Sequence, residues 1–224
     1  MRYSGIHVWG DSILKGIVFD QQRQRYAILR ENCVAEFTKE VSVPVVNHAS
    51  MGITAPEAEK RMNDADFLPG DLALIEFGGN DCDMAWESVA EAPEGRHEPK
   101  TPLERFVKSL GRMVERVRAG GMQPMLVVPP PLDGQRYFEW ITQKLNKEAI
   151  LRFLGDVQHI YRWQELYAFA VTGVAEKMGC PLLRLRDVFL RHEDFSRLLC
   201  VDGIHPSAEG HRVMLQRLRE GCGT

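Results

Sequence analysis

The sequence predicts an α/β protein, a three-layer α/β/α sandwich built on a doubly wound, five-stranded parallel sheet. Five short apolar runs, each bounded by Gly, Pro or Asp, indicate buried strands. Helix-like segments separate these runs, and strands that alternate with helices form parallel sheets with right-handed crossovers. No internal repeat or low-complexity linker divides the 224 residues, so one domain over residues 1–224 is expected.

The predicted strands share an apolar composition and turn-forming residues at their ends. They are Gly5–Trp9, Val43–Asn47, Leu72–Phe77, Pro124–Val128 and Pro181–Leu185. The third is nearly all apolar, as expected for a strand that helices cover on both faces of the sheet.

Apolar residues at helical spacing predict the helices between and after the strands. Leu103–Ala119 is amphipathic and stops at Gly120 and Gly121, a good signal for a helix C-terminus. Gln158–Met178 and Ala208–Arg219 are expected to form two further helices.

Two other segments have weaker patterns. Ile13–Val41 is expected to contain one helix. The core positions expected for that helix are Ala27, Ile28, Val34, Ala35 and Phe37. Glu87–Pro102 is rich in Glu and Pro and is expected to form an exposed loop.

Composition and charge argue against several classes of function. Lys and Arg number 28 against 31 Asp and Glu, the net charge is -3, and no basic stripe indicates nucleic-acid binding. No apolar run approaches the ~20 residues that span a bilayer. The five cysteines are scattered without a CxxC pair, which argues against a disulfide framework or a zinc site. Reduced thiols, and an N-terminus without an apolar leader, favour a cytoplasmic protein.

The sequence also lacks the usual motifs for metals and nucleotides. No His-x-x-x-His pair with a carboxylate occurs, so a metal-dependent hydrolase is not indicated. Neither of the common glycine-rich phosphate-binding patterns is present. We therefore expect no metal and no cofactor.

Polar, glycine-bearing loops follow the predicted strands. They are Gly10-Asp11-Ser12, Asn47-His48-Ala49-Ser50-Met51-Gly52, Gly78-Gly79-Asn80-Asp81 and, before the last helix, Asp202-Gly203-Ile204-His205-Pro206. In an open parallel sheet, ligands bind outside the carboxyl ends of the strands. The topology therefore predicts that the four loops meet at one rim of the sheet.

Ser12, Asp202 and His205 carry the clearest chemistry. A serine between a strand and a helix either caps the helix or acts as a nucleophile, and a cap is the commoner role. Asp202 lies three residues before His205, which lets the carboxylate fix the imidazole while its other nitrogen takes a proton from a serine. Taken alone, both residues also suit a cap before the last helix, where Pro206 fits the first helical position.

Gly52 and Asn80 suit the donors that an acyl-transfer reaction needs. A loop glycine can bring its backbone N–H close to a developing oxyanion, and an asparagine supplies an amide donor. Viewed singly, each is more often a simple turn residue.

Together, these blocks resemble those of the SGNH/GDSL hydrolase family. Gly10-Asp11-Ser12, Gly52, Gly79-Asn80-Asp81 and Asp202-x-x-His205 occur in the order of the family's four motifs, from the first strand to the last helix. Ile13 departs from the leucine that the family name implies. The resemblance implies a flavodoxin-like sheet and a carboxylic ester hydrolase.

The resemblance also implies a role for each residue. Ser12 matches the nucleophile, His205 the general base and Asp202 the partner of the histidine. The backbone N–H groups of Ser12 and Gly52, with the Asn80 side chain, match the oxyanion hole.

The family resemblance favours a small ester as substrate, either a short-acyl ester or an O-acetylated carbohydrate. A lysophospholipase or thioesterase is the alternative within the class, and a non-catalytic binding module on a similar sheet is the alternative outside it. Candidate pocket residues are Trp86, Tyr137, Phe138 and Trp140, although core packing explains each equally well. Neither the physiological ester nor the oligomeric state follows from the sequence.

Overall fold

The computed structural model describes residues 3–62 and 67–223, which contain a parallel five-stranded sheet in the order β4-β1-β5-β6-β7. Its strands are β1 (Ile6–Trp9), β4 (Val45–Asn47), β5 (Leu72–Glu76), β6 (Gln123–Val128) and β7 (Leu182–Arg184). All neighbouring pairs in this sheet are parallel. The five predicted strands and the fold class are thereby confirmed.

The sheet changes its winding direction at β1. β4, the next strand of this sheet along the chain, lies on one side of β1, and β5, β6 and β7 follow on the other. Crossovers of the same hand therefore place helices on both faces, and a crevice opens at the carboxyl end of β1. Ser12 lies three residues after the end of this strand.

The helices lie on the two faces of the sheet and at the rim where its strands end. In chain order they are α1 (Ser12–Lys15), α2 (Cys33–Glu40), α3 (Ala55–Arg61), α4 (Trp86–Glu91), α5 (Leu103–Ala119), α6 (Gly134–Ile141), α7 (Lys147–Leu154), α8 (Gln158–Met178), α9 (Leu185–Leu190) and α10 (Ala208–Cys222). The predicted bounds of α5 and α8 agree with the structure, and α10 continues to a left-handed Gly223 (φ +72°).

Alternating residues of the strands face two separate apolar cores. Leu72 and Leu74 of β5 pack in the core under α2, α9 and α10. Ala73 and Ile75 pack in the core under α3, α5 and α8. Because side chains alternate along a strand, a sheet covered on both faces needs a continuous apolar run, which is the pattern that predicted β5.

A third apolar core lies at the rim where the strands end. It joins α4, α6, α7 and the start of α8, with Trp86, Phe138, Ile150 and Ile160 among its buried side chains. This rim core covers one side of the crevice beside Ser12.

The prediction of one helix in Ile13–Val41 is incomplete. After α1 the chain forms an antiparallel hairpin of β2 (Ile17–Asp20) and β3 (Arg25–Ile28), and the helix α2 follows. Gly16 ends α1 with a φ of +82°, where a Cβ would lie 2.5 Å from the Asn32 side chain. The hairpin forms a separate two-stranded sheet, and each of its strands has only four residues. An apolar pattern of that length does not distinguish a strand from a helix.

The core positions proposed for this segment are right only within α2. Val34 and Phe37 are buried, and Ala35 is half-buried. Ala27 and Ile28 belong instead to β3, where Ile28 is 55% exposed. The loop expected at Glu87–Pro102 is also partly helical, because α4 occupies its first residues.

Across residues 3–62 and 67–223, none of the helices combines the length and apolar character that crossing a membrane requires.

Candidate active site

Ser12, His205 and Asp202 form one hydrogen-bonded row at the carboxyl end of β1. His205 Nε2 lies 3.0 Å from Ser12 Oγ, and His205 Nδ1 lies 2.6 Å from Asp202 Oδ2. All three residues are buried. The structure therefore brings together the three side chains that the sequence singled out from opposite ends of the chain.

The turn before α10 fixes the position of Asp202. Its Oδ1 accepts the backbone N–H groups of Ile204 and His205 at 3.1 and 3.2 Å, so only Oδ2 faces the imidazole. Gly203 has a φ of +75°, and a Cβ there would lie 2.8 Å from the Tyr137 nitrogen. The Asp-Gly-Ile-His spacing thus builds a tight turn that only glycine fits at its second position.

Electrostatics keep Asp202 ionised. Burial raises the pKa of this carboxyl group, but the hydrogen bond and charge of His205, with the two backbone donors, outweigh burial and bring the pKa below its usual range. An anion beside Nδ1 stabilises the imidazolium that forms when Nε2 accepts a proton.

Ser12 is the first residue of α1, and Asp11 caps that helix. Asp11 Oδ1 accepts the backbone N–H of Ile13 at 2.8 Å, which is the usual bond of an N-cap carboxylate. The capping role therefore belongs to Asp11, which leaves the Ser12 hydroxyl to His205.

The Asn80 side chain lines the crevice next to Ser12. Its Nδ2 lies 3.2 Å from both Asp11 Oδ2 and the Ile53 carbonyl oxygen, and it donates to both. These two acceptors hold the amide in one orientation at the rim.

Gly52 lies in an exposed turn after β4 with a φ of +76° and is not part of the crevice lining. The loop that carries it is tied to the Ser12 loop, because Ser50 N donates to the Gly10 carbonyl at 3.0 Å. His48 stacks on Trp9 with ring centroids 4.1 Å apart and secures the start of the loop.

Two buried acids, Asp11 and Asp81, hold their loops. Asp11 binds Ile13, and both Asp81 carboxylate oxygens accept the N–H of Ala55 at 3.0 and 3.2 Å, at the start of α3. Burial raises the pKa of Asp81 to about 7. A third acid, Glu76, is the last residue of the otherwise apolar strand β5; it is fully buried and borders the crevice.

A narrow, predominantly apolar pocket leads from Ser12 under the rim core. Its apolar lining residues include Met84, Trp86, Leu132, Phe153, Leu154, Ile160, Trp163 and Ile204. Trp86 and Tyr137 of the predicted pocket residues lie in this lining, where the Tyr137 hydroxyl donates to Asp83 at 2.7 Å. Phe138 is instead packed inside the rim core and is 2% exposed.

Trp140 lies in a separate aromatic cluster formed with Phe19 and Tyr26 of the hairpin. Its ring is 4.7 Å from that of Phe19 and 6.4 Å from that of Tyr26. The Tyr26 ring lies 5.0 Å from the His205 imidazole. The aromatic cluster therefore contacts the histidine without lining the apolar pocket.

Within the described part of the chain, no three His, Cys, Asp or Glu side chains are grouped so that they could hold a metal ion. What is present is a buried Ser-His-Asp row at the switch point of a doubly wound sheet, the arrangement that defines a serine hydrolase. The sequence profile of the GDSL-like Lipase/Acylhydrolase family matches residues 8–152. The chain belongs to this family, and the predicted family is confirmed.

Comparisons with individual proteins agree with this assignment. The chain is 20% identical over 149 residues to the GDSL esterase/lipase WDL1 of Oryza sativa subsp. japonica, and the alignment spans 66% of this chain and 51% of the rice protein. The chain therefore spans about half the length of this relative.

Two solved structures show the shared fold over nearly the whole chain. One is a member of the lipolytic protein G-D-S-L family from Veillonella parvula DSM 2008, at 14% identity, a TM-score of 0.66 and 96% coverage of both chains. The other is Axe2, an acetylxylan esterase from Geobacillus stearothermophilus, at 18% identity and a TM-score of 0.65, covering 100% of this chain and 97% of Axe2.

Proposed function

We propose that this protein hydrolyses carboxylic esters with Ser12 as nucleophile, His205 as general base and Asp202 as the partner of the histidine. The observation that carries the proposal is the continuous row from Asp202 Oδ2 through the imidazole to Ser12 Oγ. A serine hydroxyl is a weak nucleophile until a base accepts its proton, and this row supplies that base.

The reaction has two steps. Ser12 Oγ attacks the ester carbonyl carbon while His205 Nε2 takes the hydroxyl proton. The resulting imidazolium gives this proton to the departing alcohol oxygen as the carbon–oxygen bond breaks. Water then attacks the acyl-serine with His205 again as base, and the acid and free Ser12 are released.

The tetrahedral intermediates carry an oxyanion, for which we propose the donors of Ser12, Gly52 and Asn80. Ser12 N lies in the first turn of α1, where backbone N–H groups lack helical partners. The Gly10–Ser50 backbone bond supports this assignment for Gly52, since it joins the two loops. For the amide, Asn80 lines the same crevice as Ser12. Its Nδ2, which donates to Asp11 and to the Ile53 carbonyl, would exchange the Ile53 bond for one to the oxyanion.

Replacing Asn80 by Ala is expected to lower kcat for p-nitrophenyl butyrate by about 10²–10³-fold, with KM nearly unchanged. One preorganised donor acts mainly on the developing oxyanion and contributes about this much. Steady-state kinetics measure the effect, and circular dichroism verifies the fold. A change confined to KM contradicts an oxyanion role for Asn80.

The apolar pocket supports an acyl group longer than acetyl. Its lining includes Leu154 and Ile160, which are buried from solvent and offer an acyl chain only carbon surface. Burying each additional methylene there contributes about 0.8 kcal/mol. A longer-chain acyl hydrolase, such as a thioesterase or lysophospholipase, is therefore the candidate that the pocket favours over the short-acyl alternative.

The short-acyl, carbohydrate-directed alternative keeps one supporting observation. Phe19, Tyr26 and Trp140 form a half-buried aromatic cluster beside His205, and aromatic faces suit a sugar ring. The likeness to the acetylxylan esterase Axe2 is consistent with such a substrate but is one of fold.

A chain-length series with Phe153→Ala separates the two substrates. We expect kcat/KM of the native protein to rise from p-nitrophenyl acetate to medium-chain esters, because the pocket buries the chain. Phe153 is half-buried in the lining, so its loss shifts the optimum toward longer esters. Phe169→Ala, at a position 72% exposed on α8, is the matched control and leaves the profile unchanged. If kcat/KM is highest for the acetate ester and Phe153→Ala does not change that optimum, the short-acyl alternative is supported.

A further inference from the structure

Glu76 is a fully buried carboxyl group directly beneath the Ser12 loop. It ends β5, and its Oε2 lies 3.4 Å from the backbone N of Asp11. A Cβ placed on Gly10 would lie 3.1 Å from the same oxygen, so the loop packs closely on this side chain. The other oxygen, Oε1, is buried without a hydrogen-bond partner among the described residues. The reaction described above does not use Glu76.

The groups that face Glu76 are mostly acidic. Asp11 lies in the loop after β1 and Asp81 in the loop after β5, and Cys33 of α2 is near enough that the charge of Glu76 raises the pKa of its thiol. The charge of His205 lowers the pKa of Asp11. Within residues 3–62 and 67–223, neither Glu76 nor Asp11 forms an ion pair with a lysine or arginine. Two buried carboxylates side by side without a cation are strongly unfavourable, so one of them must carry a proton.

We propose that Glu76 is a positioning residue that is kept as a protonated carboxylic acid and, packed against the Asp11 backbone N–H, holds Asp11 and Asn80 in place. Asp11 Oδ1 is bound to the start of α1, and its Oδ2 accepts the Asn80 amide. Glu76 therefore acts on the oxyanion donor through Asp11 without contacting the substrate. The part concerning Asn80 rests on the proposed function.

The distribution of charge agrees with this assignment. Burial raises the pKa of Glu76 well above its usual range, and the neighbouring charge of Asp11 raises it further. Burial also raises the pKa of Asp11, but its bonds with Ile13, Glu76 and Asn80 lower it in part. Asp11 accepts two hydrogen bonds, from Ile13 N at 2.8 Å and Asn80 Nδ2 at 3.2 Å, whereas Glu76 accepts one at 3.4 Å and leaves Oε1 without a donor. The proton therefore belongs to Glu76. When alkaline solution removes it, two carboxylates face each other and the Asp11–Asn80 contact weakens.

Glu76→Gln tests the proposal through its pH profile. Glutamine keeps the shape and a donor but cannot ionise. We expect kcat within about threefold of the native value at pH 7, and a loss of kcat that begins at higher pH than in the native protein. Glu176→Gln, at an exposed position of α8, is the control with the same change and keeps the native profile. A loss of about 100-fold at pH 7 in a folded protein, or an unmoved alkaline limb, overturns the proposal.

The pH dependence of stability gives a readout that needs no catalysis. A group protonated in the native state but ionised when unfolded stabilises fully below its unfolded pKa, about 4.3 for Glu, and this stabilisation is lost as pH rises toward the folded pKa. Between these limits the unfolding constant rises about tenfold per pH unit for each such group. In urea unfolding at pH 5, 6 and 7, the logarithm of the unfolding constant is therefore expected to rise less steeply with pH in Glu76→Gln than in the native protein, by the equivalent of one proton. An unchanged slope overturns the proposal. This result does not depend on the esterase assignment, because it measures unfolding and not turnover.

Direct observation covers the case in which Glu76→Gln does not fold. In the native protein labelled with ¹³C at the glutamate carboxyl carbons, one resonance is expected to keep its protonated position at pH 7. If all glutamate resonances have moved to their ionised positions by pH 6, Glu76 is not the proton carrier.

Discussion

Ser12→Ala is expected to lower kcat for p-nitrophenyl esters by a factor on the order of 10⁶, since the attacking oxygen is lost while the remaining site is intact. The replacement removes one buried hydroxyl and its 3.0 Å bond to His205, so the melting temperature should change little. Ester turnover and labelling with a fluorophosphonate, which requires an activated serine, measure the effect.

Ser88→Ala provides the matched control. Ser88 lies exposed on α4, outside the hydrogen-bonded row, so this variant keeps both turnover and labelling. If Ser12→Ala turns over esters at the native rate, Ser12 is not the nucleophile. If the native protein neither labels nor hydrolyses any ester, the alternative of a non-catalytic binding module is correct.

Asp202→Asn is expected to lower kcat by about 10⁴-fold with little change in the fold. The amide that replaces Oδ2 presents an N–H to His205 Nδ1 and turns the imidazole to the wrong tautomer, so Nε2 can no longer accept the Ser12 proton. The backbone donors of Ile204 and His205 still meet an amide oxygen, which preserves the turn.

A double-variant test distinguishes this role from general damage. Residues that act as one unit are strongly non-additive. The pair Asp202→Asn with His205→Ala should therefore lose no more activity than His205→Ala alone. Losses that multiply would mean that Asp202 acts independently of the imidazole.

The main sheet was predictable because its physics is local. A strand covered on both faces must be apolar at every position, and Leu72–Glu76 satisfies this requirement almost completely. α5 was equally clear, since a long amphipathic stripe ends at two glycines. The β2–β3 hairpin was missed because strands of four residues on a partly exposed ribbon carry too few alternations to distinguish them from a helix.

The site was predictable where chain order carries the information. Ser12, Asn80 and the Asp202 turn follow strands or precede a helix, and a parallel sheet brings such loops to one rim. Glu76 gave no such signal, because it lies inside the predicted strand Leu72–Phe77 and not in one of the polar loops that follow the strands. The different positions of Tyr137, in the pocket, and Trp140, in the aromatic cluster, depend on tertiary packing of one short helix, which composition does not encode.

The sequence separation of 193 between Ser12 and His205 also bears on how the protein is made. During synthesis the serine leaves the ribosome well before its base. On the proposed mechanism, a chain that lacks this base holds an unreactive hydroxyl, and reactivity is expected only once the segment before α10 has docked beside Ser12. Fluorophosphonate labelling of this protein is for that reason a reporter of completed folding as well as of chemistry, and a chain truncated before residue 202 should escape it entirely.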